Sequence, residues 1–236
     1  MINGKTAIYL AILNQGEVRA EISQWVNSVI AEGKFTIFVD YPESKPISFN
    51  RNKIVKKFLT TECDYLMMLD SDIVPPANIL DLSLFGKDII GGLCFSFSQI
   101  VPGQAAVVPL ILKRNKKILK GDRHIKYSPL PQEKWEGLTE CDAIGTGCII
   151  IARHVLENPF WLTHYGHFPN IYDKTGDKVI GLDINFCYRA KKLGYKTYCH
   201  TDFKCSHWTP MNLLMIHNSF TQLGEIIERL KTQAKK

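Results

Sequence analysis

The stretch Asp64-Tyr65-Leu66-Met67-Met68-Leu69-Asp70-Ser71-Asp72-Ile73-Val74-Pro75-Pro76 decides how this chain is read, because an apolar run hands two carboxylates, one residue apart, to a turn. A short apolar run bounded by turn signals predicts a central strand. Side chains two apart on an extended segment point the same way, so Asp70 and Asp72 can face one object. Bare carboxylates this close repel unless a cation or a proton intervenes, which points to a hard divalent cation, itself able to neutralise a diphosphate. The competing reading is an Asx-type turn before Pro75 with both acids solvated.

Outward from this strand the chain alternates. Thr6 to Leu13 reads as a strand, and Val18, Ile22, Trp25, Val26, Val29 and Ile30 recur at helical spacing until Gly33. Phe35 to Val39 predicts a strand closing on Asp40, and Ile54, Val55, Phe58 and Leu59 mark a second helix running to about Thr61. Strand and helix in alternation imply parallel pairing with right-handed crossovers, an α/β Rossmann-like half with a mostly parallel central sheet. Ligands in such sheets sit at the carboxyl ends of strands, where Asp40, Asp70 and Asp72 fall. Further on, Ala77 to Phe85 predicts a short helix, while Asp88 to Leu93, Ala105 to Leu112 and Cys148 to Ala152 predict strands. Phe160 to Ile180 reads as a long loop, Leu182 to Leu193 as a helix closed by Gly194, and Tyr195 to His200 as a strand. From Met211 onward, Ile216, Phe220, Leu223, Ile227 and Leu230 predict an amphipathic C-terminal helix that packs on the core, pairs in a homodimer, or makes peripheral membrane contact through its lysines.

With 236 residues, 45% of them hydrophobic and 22% charged, the chain can bury one substantial core and is not of disordered composition. No apolar run approaches the roughly 20 residues of a membrane span, and Thr6 to Leu13 follows the start without a signal-peptide pattern. Seven cysteines with no Cys-x-x-Cys pair do not form a disulfide framework, and a cytoplasmic location is expected. The net charge of +6 favours anionic partners. Lys113-Arg114-Asn115-Lys116-Lys117 is the densest basic run, but no aromatic residues interleave with it, so no nucleic acid partner is expected.

Five motifs, taken in order, carry a resemblance. Ser48-Phe49-Asn50-Arg51-Asn52, then Tyr65 to Asp72, then Gly145-Thr146-Gly147-Cys148-Ile149-Ile150-Ile151-Ala152-Arg153, then Gly181-Leu182-Asp183-Ile184-Asn185-Phe186-Cys187-Tyr188-Arg189-Ala190, and finally Lys204-Cys205-Ser206-His207 together resemble a GT-A fold glycosyltransferase, nearest the family 2 type. The resemblance covers roughly residues 5 to 208. It implies a single domain over 1–236, with a nucleotide-binding half over about 1–93, an acceptor and catalytic half over about 94–208, and the terminal helix over 209–236. It also implies transfer of a sugar from a nucleoside-diphosphate donor to an acceptor hydroxyl, with inversion, and Mn2+ or Mg2+ at the Asp-x-Asp. The second acid of that motif, Asp72, would ligate the metal, Asp70 would help and lie near the donor ribose, and His207 would complete the metal shell; imidazole with carboxylate is a reasonable set for Mn2+.

Asp183 is the candidate general base, since inverting transfer needs a carboxylate to take the acceptor proton opposite the departing diphosphate. Where relatives often have Glu-Asp, this chain has Leu182-Asp183, and Asp183 is equally suited to cap the helix that follows. Asp40 resembles the acid that bonds the nucleobase. Arg51 resembles a basic residue near the nucleotide, or else a surface charge at the start of the second helix. Gly145 and Gly147 would let backbone approach the donor sugar. Trp161, His164, Tyr165, His167 and Tyr172 either stack on an acceptor sugar or pin the long loop to the core. A zinc site from Cys199, His200, Cys205 and His207 lacks a usual ligand spacing. Two other functions fit the same scaffold: a sugar-nucleotide-forming nucleotidyltransferase, against which Asn14-Gln15-Gly16 stands as no glycine- and arginine-rich triphosphate loop, and a catalytically silent carbohydrate- or nucleotide-binding module.

Overall fold

The computed structural model describes residues 2, 4–43, 45–101, 104–115, 127–163, 166–172 and 178–209. In chain order it contains β1 (Ala7–Leu13), α1 (Ala20–Glu32), β2 (Thr36–Asp40), α2 (Ile47–Leu59), β3 (Tyr65–Asp70), β4 (Ile73–Val74), a 3-10 turn over Ile79–Phe85, β5 (Ile89–Leu93), β6 (Phe95–Val101), β7 (Gln104–Pro109) and β8 (Ile111–Arg114). There follow β9 (Tyr127–Pro129), β10 (Leu138–Cys141), β11 (Ala143–Ile144), β12 (Cys148–Ala152), α3 (Arg153–Leu156), α4 (Phe160–Thr163), β13 (Ile171–Tyr172), β14 (Lys178–Ile180), α5 (Leu182–Lys192), β15 (Thr197–Lys204) and β16 (Ser206–His207). The predicted C-terminal helix lies outside the described residues.

The central sheet runs β10-β15-β5-β12-β3-β1-β2. β1 pairs parallel with β2 and β3, and β5 with β15, while β12 lies antiparallel between β3 and β5 and β10 closes the edge antiparallel. Five of the seven strands therefore point one way, the mixed α/β, Rossmann-like arrangement with a mostly parallel sheet that the strand and helix alternation predicts. β1 and the β3 residues Leu66 to Leu69 are fully or nearly buried because helices cover both faces. One face packs Tyr9, Leu66 and Met68 against Ile54, Val55 and Phe58 of α2 and Phe186 of α5, and the other packs Ile8, Leu10 and Met67 against Ile22, Trp25 and Val29 of α1.

Several elements differ from the sequence reading. α2 begins at Ile47, two turns earlier than its apolar spacing shows, because Pro46 occupies the N-cap position and the polar Ser48 to Asn52 segment continues into the helix. The strand expected over Ala105 to Leu112 is two, β7 and β8, separated at Leu110, since β7 pairs with β6 in a hairpin while β8 pairs with β9 and β11. The last core strand runs on to Lys204.

The stretch Phe160 to Ile180 is partly structured and partly core. Trp161 and Phe168 are fully buried, Trp161 stacks on His167 at 5.2 Å and on Phe186 at 5.5 Å, and Phe168 stacks on Phe186 at 4.5 Å. These rings pin the segment to α5; His164 and Tyr165 lie outside the described residues, and only the backbone of Tyr172 is described. Asn52 of α2 adds a polar clamp, its Oδ1 accepting the His167 and Phe168 N–H at 2.8 and 3.1 Å.

His167 makes this packing sensitive to acid. Burial lowers its pKa from 6.5 to about 4, its Nε2 lying 2.9 Å from the Leu156 carbonyl. Between those two values the unfolded chain takes a proton that the folded chain refuses, so the stability is whole above pH 6.5 and is lost as the pH falls toward about 4. The expected loss is roughly 3 kcal/mol at the acid end. Urea melts at pH 7 and pH 4.5 should show a smaller acid penalty for His167→Gln than for the unsubstituted chain; equal penalties would show that His167 is not its source.

Candidate active site

β3 delivers Asp70 to the carboxyl edge of the sheet, and the turn at Ser71-Asp72 leads into β4. That two-residue strand pairs antiparallel with β16, placing His207 opposite Ile73, and the Trp208 N–H donates to the Asp72 carbonyl at 2.8 Å. The ladder sets His207 beside the acid, with Nε2 3.4 Å from Asp72 Oδ2. His207 Nδ1 lies 2.5 Å from the Phe95 carbonyl oxygen. A carbonyl can only accept, so Nδ1 carries a proton, and Nε2 is the nitrogen that faces Asp72. A histidine fixed by a backbone bond behind it, beside a carboxylate half exposed to solvent, offers one nitrogen and one oxygen donor, a pair that suits a transition-metal dication such as Mn2+ better than Mg2+. Among the described residues no group of three His, Cys, Asp or Glu side chains could hold a metal, so the other positions around such an ion would fall to oxygens of ligand or water.

Asp70 is engaged differently. Arg51 Nη2 donates to both of its oxygens, at 3.0 and 3.1 Å, and Arg51 Nη1 donates to the Thr146 carbonyl at 2.8 Å. Thr146 in turn donates its hydroxyl to Asp183 Oδ1 at 2.6 Å, with its N–H 3.4 Å from Oδ2. One partly buried polar path thus joins α2, the end of β3, the β11–β12 turn and the start of α5. Arg51 is 2% exposed within α2, which sets aside the alternative of a surface charge at a helix start. Burial pushes the Asp70 carboxyl above its ordinary value; Arg51 opposes the shift, and the charges of Asp183 and Asp72 add to it. Asp183 sits in the first turn of α5, but the N-cap residue is Gly181, so its carboxylate serves Thr146 rather than the helix end.

The glycines flanking Thr146 allow close approach within the protein itself. A Cβ on Gly147 would stand 2.3 Å from Ile73 Cδ1 and 3.1 Å from Asp70 Oδ2, and one on Gly145 would stand 2.7 Å from Leu110 Cδ1. Asp40 is drawn to the α2 side of the sheet, where the Tyr9 hydroxyl donates to it at 2.5 Å and Lys57 pairs with it at 2.9 Å. Burial acts against its ionisation, but these two partners outweigh burial and hold the carboxyl below its ordinary value.

A cavity of about 350 Å3 opens at the ends of β1 and β3, lined by Asn14, Gln15, Lys45 and Asn50 together with Asp70 and Asp72; Asp40 is not among its walls. Asp72 also borders a second space of about 680 Å3, walled by Arg19 and Trp208, where the guanidinium stands 4.1 Å from the ring centroid. The structure therefore brings together Asp70, Asp72, His207, Arg51, Asp183 and the Gly145 to Gly147 turn, and leaves Asp40 to one side. Sequence reasoning passed over Thr146, Lys45, Arg19, Trp208 and the Phe95 carbonyl. Thr146 lies inside a quoted motif, yet only the fold shows its hydroxyl reaching Asp183. All seven cysteines are free and buried.

No family model matches the chain, and no curated protein matches it. Among solved structures it is similar to A197 from STIV, with a TM-score of 0.50 and 16% identity over 86% of this chain and 86% of that one. It is also similar to 4-diphosphocytidyl-2C-methyl-D-erythritol synthase from Anaerococcus prevotii, with a TM-score of 0.47 and 9% identity over 92% of this chain and 97% of that one. The inositol-1-phosphate CTP transferase from T. maritima gives 0.43 and 12% over 91% and 96%. At such identities the likeness concerns the fold.

Proposed function

We propose that the chain is a metal-dependent glycosyltransferase acting on a nucleoside-diphosphate sugar, with inversion at the transferred carbon, and that 1–208 forms its nucleotide-binding and acceptor halves. The observation that carries this reading is Asp72, in the wall of the cleft at the carboxyl ends of β1 and β3, with His207 Nε2 3.4 Å from its carboxylate and the histidine's other nitrogen held by the Phe95 carbonyl. What Mn2+ or Mg2+ supplies when bound by this pair is positive charge beside the departing diphosphate. Lys45 in the cleft wall and Arg19 in the adjoining space add cations for the phosphates. Asp183, held by Thr146, would accept the proton of the acceptor hydroxyl as the new glycosidic bond forms and the bond to the diphosphate breaks. Seven free, buried thiols support a reducing compartment, hence a cytoplasmic setting. Among the described residues no helix is long and apolar enough to cross a membrane.

The second reading is formation of a sugar nucleotide from a nucleoside triphosphate and a sugar phosphate. Lys45 would suit a triphosphate. The two part at Asp183: a sugar phosphate attacks as an oxyanion and needs no base, whereas a neutral acceptor hydroxyl does. Incubation with Mn2+ and a panel of nucleoside-diphosphate sugars should release nucleoside diphosphate. Pyrophosphate release from a triphosphate and a sugar phosphate, with the diphosphate sugars inert, would establish the second reading instead. Asp183→Asn should retain donor binding and lose at least about 100-fold in transfer, the upper range of a positioned base being about 10,000-fold. Unchanged transfer in that variant would remove Asp183 from the chemistry, and donor binding without turnover across many acceptors would mark a silent binding module.

A further inference from the structure

Away from the cleft, the second half of α5 meets the end of β8 and the start of β9. Tyr188, Lys191 and Lys192 face Arg114, Asn115 and Tyr127 across a cavity of about 400 Å3. Lys192 lies roughly 13 Å farther along α5 than Asp183, by the rise of an α-helix. Two cations gather on one ring: Lys192 Nζ stands 4.7 Å and the Arg114 guanidinium carbon 5.4 Å from the Tyr188 centroid. The acid in the wall, Asp142, is already engaged, because Lys191 pairs with one oxygen and the Arg114 N–H donates to the other at 2.9 Å. Among the described residues no carboxylate oxygen lies within 4.0 Å of the Arg114 or Lys192 side-chain nitrogens.

The neutral groups of the wall are donors as well. Asn115 Oδ1 accepts the Ser128 hydroxyl at 2.8 Å, which leaves its two amide N–H bonds to donate. Burial pushes the Tyr127 phenol up to about 12, so its hydroxyl keeps its proton at neutral pH and can donate too. A guanidinium fork, an ammonium, an amide and the phenols of Tyr127 and Tyr188, with the carboxylate in their midst consumed, make the described wall richer in donors than in acceptors. Like charges held around one ring are stabilised by an anion placed between them.

We propose that this cavity is a second ligand site, separate from the cleft, that binds the phosphoryl or sulfuryl group of a small sugar ester. Its volume lies at the lower end of the range for small-molecule sites and suits one sugar ring with its charged group. The site does not depend on the transferase reading.

Calorimetric titration with glucose 6-phosphate, glucose 6-sulfate and glucose at constant ionic strength tests it. The esters should bind and glucose should not, and the tighter ester identifies the preferred group. Arg114→Gln and Lys192→Gln should each weaken binding at least 10-fold, and the double variant should show none. Both side chains are exposed, so the fold should persist by circular dichroism; Tyr127→Phe, which removes one hydroxyl, should weaken binding by a smaller factor and gives an independent reading. Failure of both esters to bind the unsubstituted chain, or unchanged affinity in the double variant, would overturn the proposal.

Discussion

Asp72→Ala should abolish the Mn2+-dependent stabilisation of the protein by nucleoside diphosphates and lower sugar transfer by about 1,000-fold, the upper range for removing one group that stabilises developing charge. The substitution isolates chemistry from folding. The Asp72 side chain is 53% exposed, and the bond that shapes its turn comes from its backbone carbonyl, which accepts the Trp208 N–H at 2.8 Å and survives the change. The ligand-free stability should therefore stay within the scatter of a surface substitution, about 0.5 kcal/mol. Thermal shifts with and without Mn2+ separate the two effects, since a ligand raises apparent stability only where it binds the folded state. A variant that keeps its Mn2+-dependent shift and its turnover would end the assignment of Asp72 to the metal.

The strand and helix alternation from Thr6 to Leu69 was legible because each segment is long enough to show its period and buried enough to need it. Asp70 and Asp72 were legible for a related reason: an apolar strand has few explanations for two acids at its end. What brings His207 to them was not. β4 and β16 are two residues each, too short for any periodicity, and their pairing spans more than 130 positions of chain. The burial of Arg51 was not legible, because a single arginine in Ser48 to Asn52 carries no sign of it; only the approach of Thr146 and Asp70, contributed by other elements, makes a charged side chain tolerable there. The aromatics of Phe160 to Ile180 left two readings open, and the stacks of Trp161 on Phe186 and on His167 decide for core at those two positions. In each case the missing information was a partner far away in sequence.

Arg51 is where those distant partners converge, and its loss should be the most damaging single substitution to stability in the site. The guanidinium is 2% exposed and bonds a carboxylate and a backbone carbonyl on two other elements; a methionine of similar volume would fill the space and leave the Asp70 carboxylate and the Thr146 carbonyl without it. Breaking a buried pair by removing one partner costs about 3–5 kcal/mol, and the 27% exposure of the Asp70 side chain argues for the lower end. A cost near 3 kcal/mol corresponds to a fall of roughly 6–12 °C in melting temperature for a chain of this length. Asp70→Asn in the Arg51→Met background removes the stranded charge, so the double variant should be destabilised by less than the sum of the two single changes, with a coupling of about 1–3 kcal/mol. Strict additivity would mean that the two groups do not sense each other. The same cycle bears on catalysis, because Thr146 hangs between Arg51 and Asp183: once its carbonyl is released, the turn that aims the Asp183 carboxylate loosens, and transfer should fall further than donor binding does.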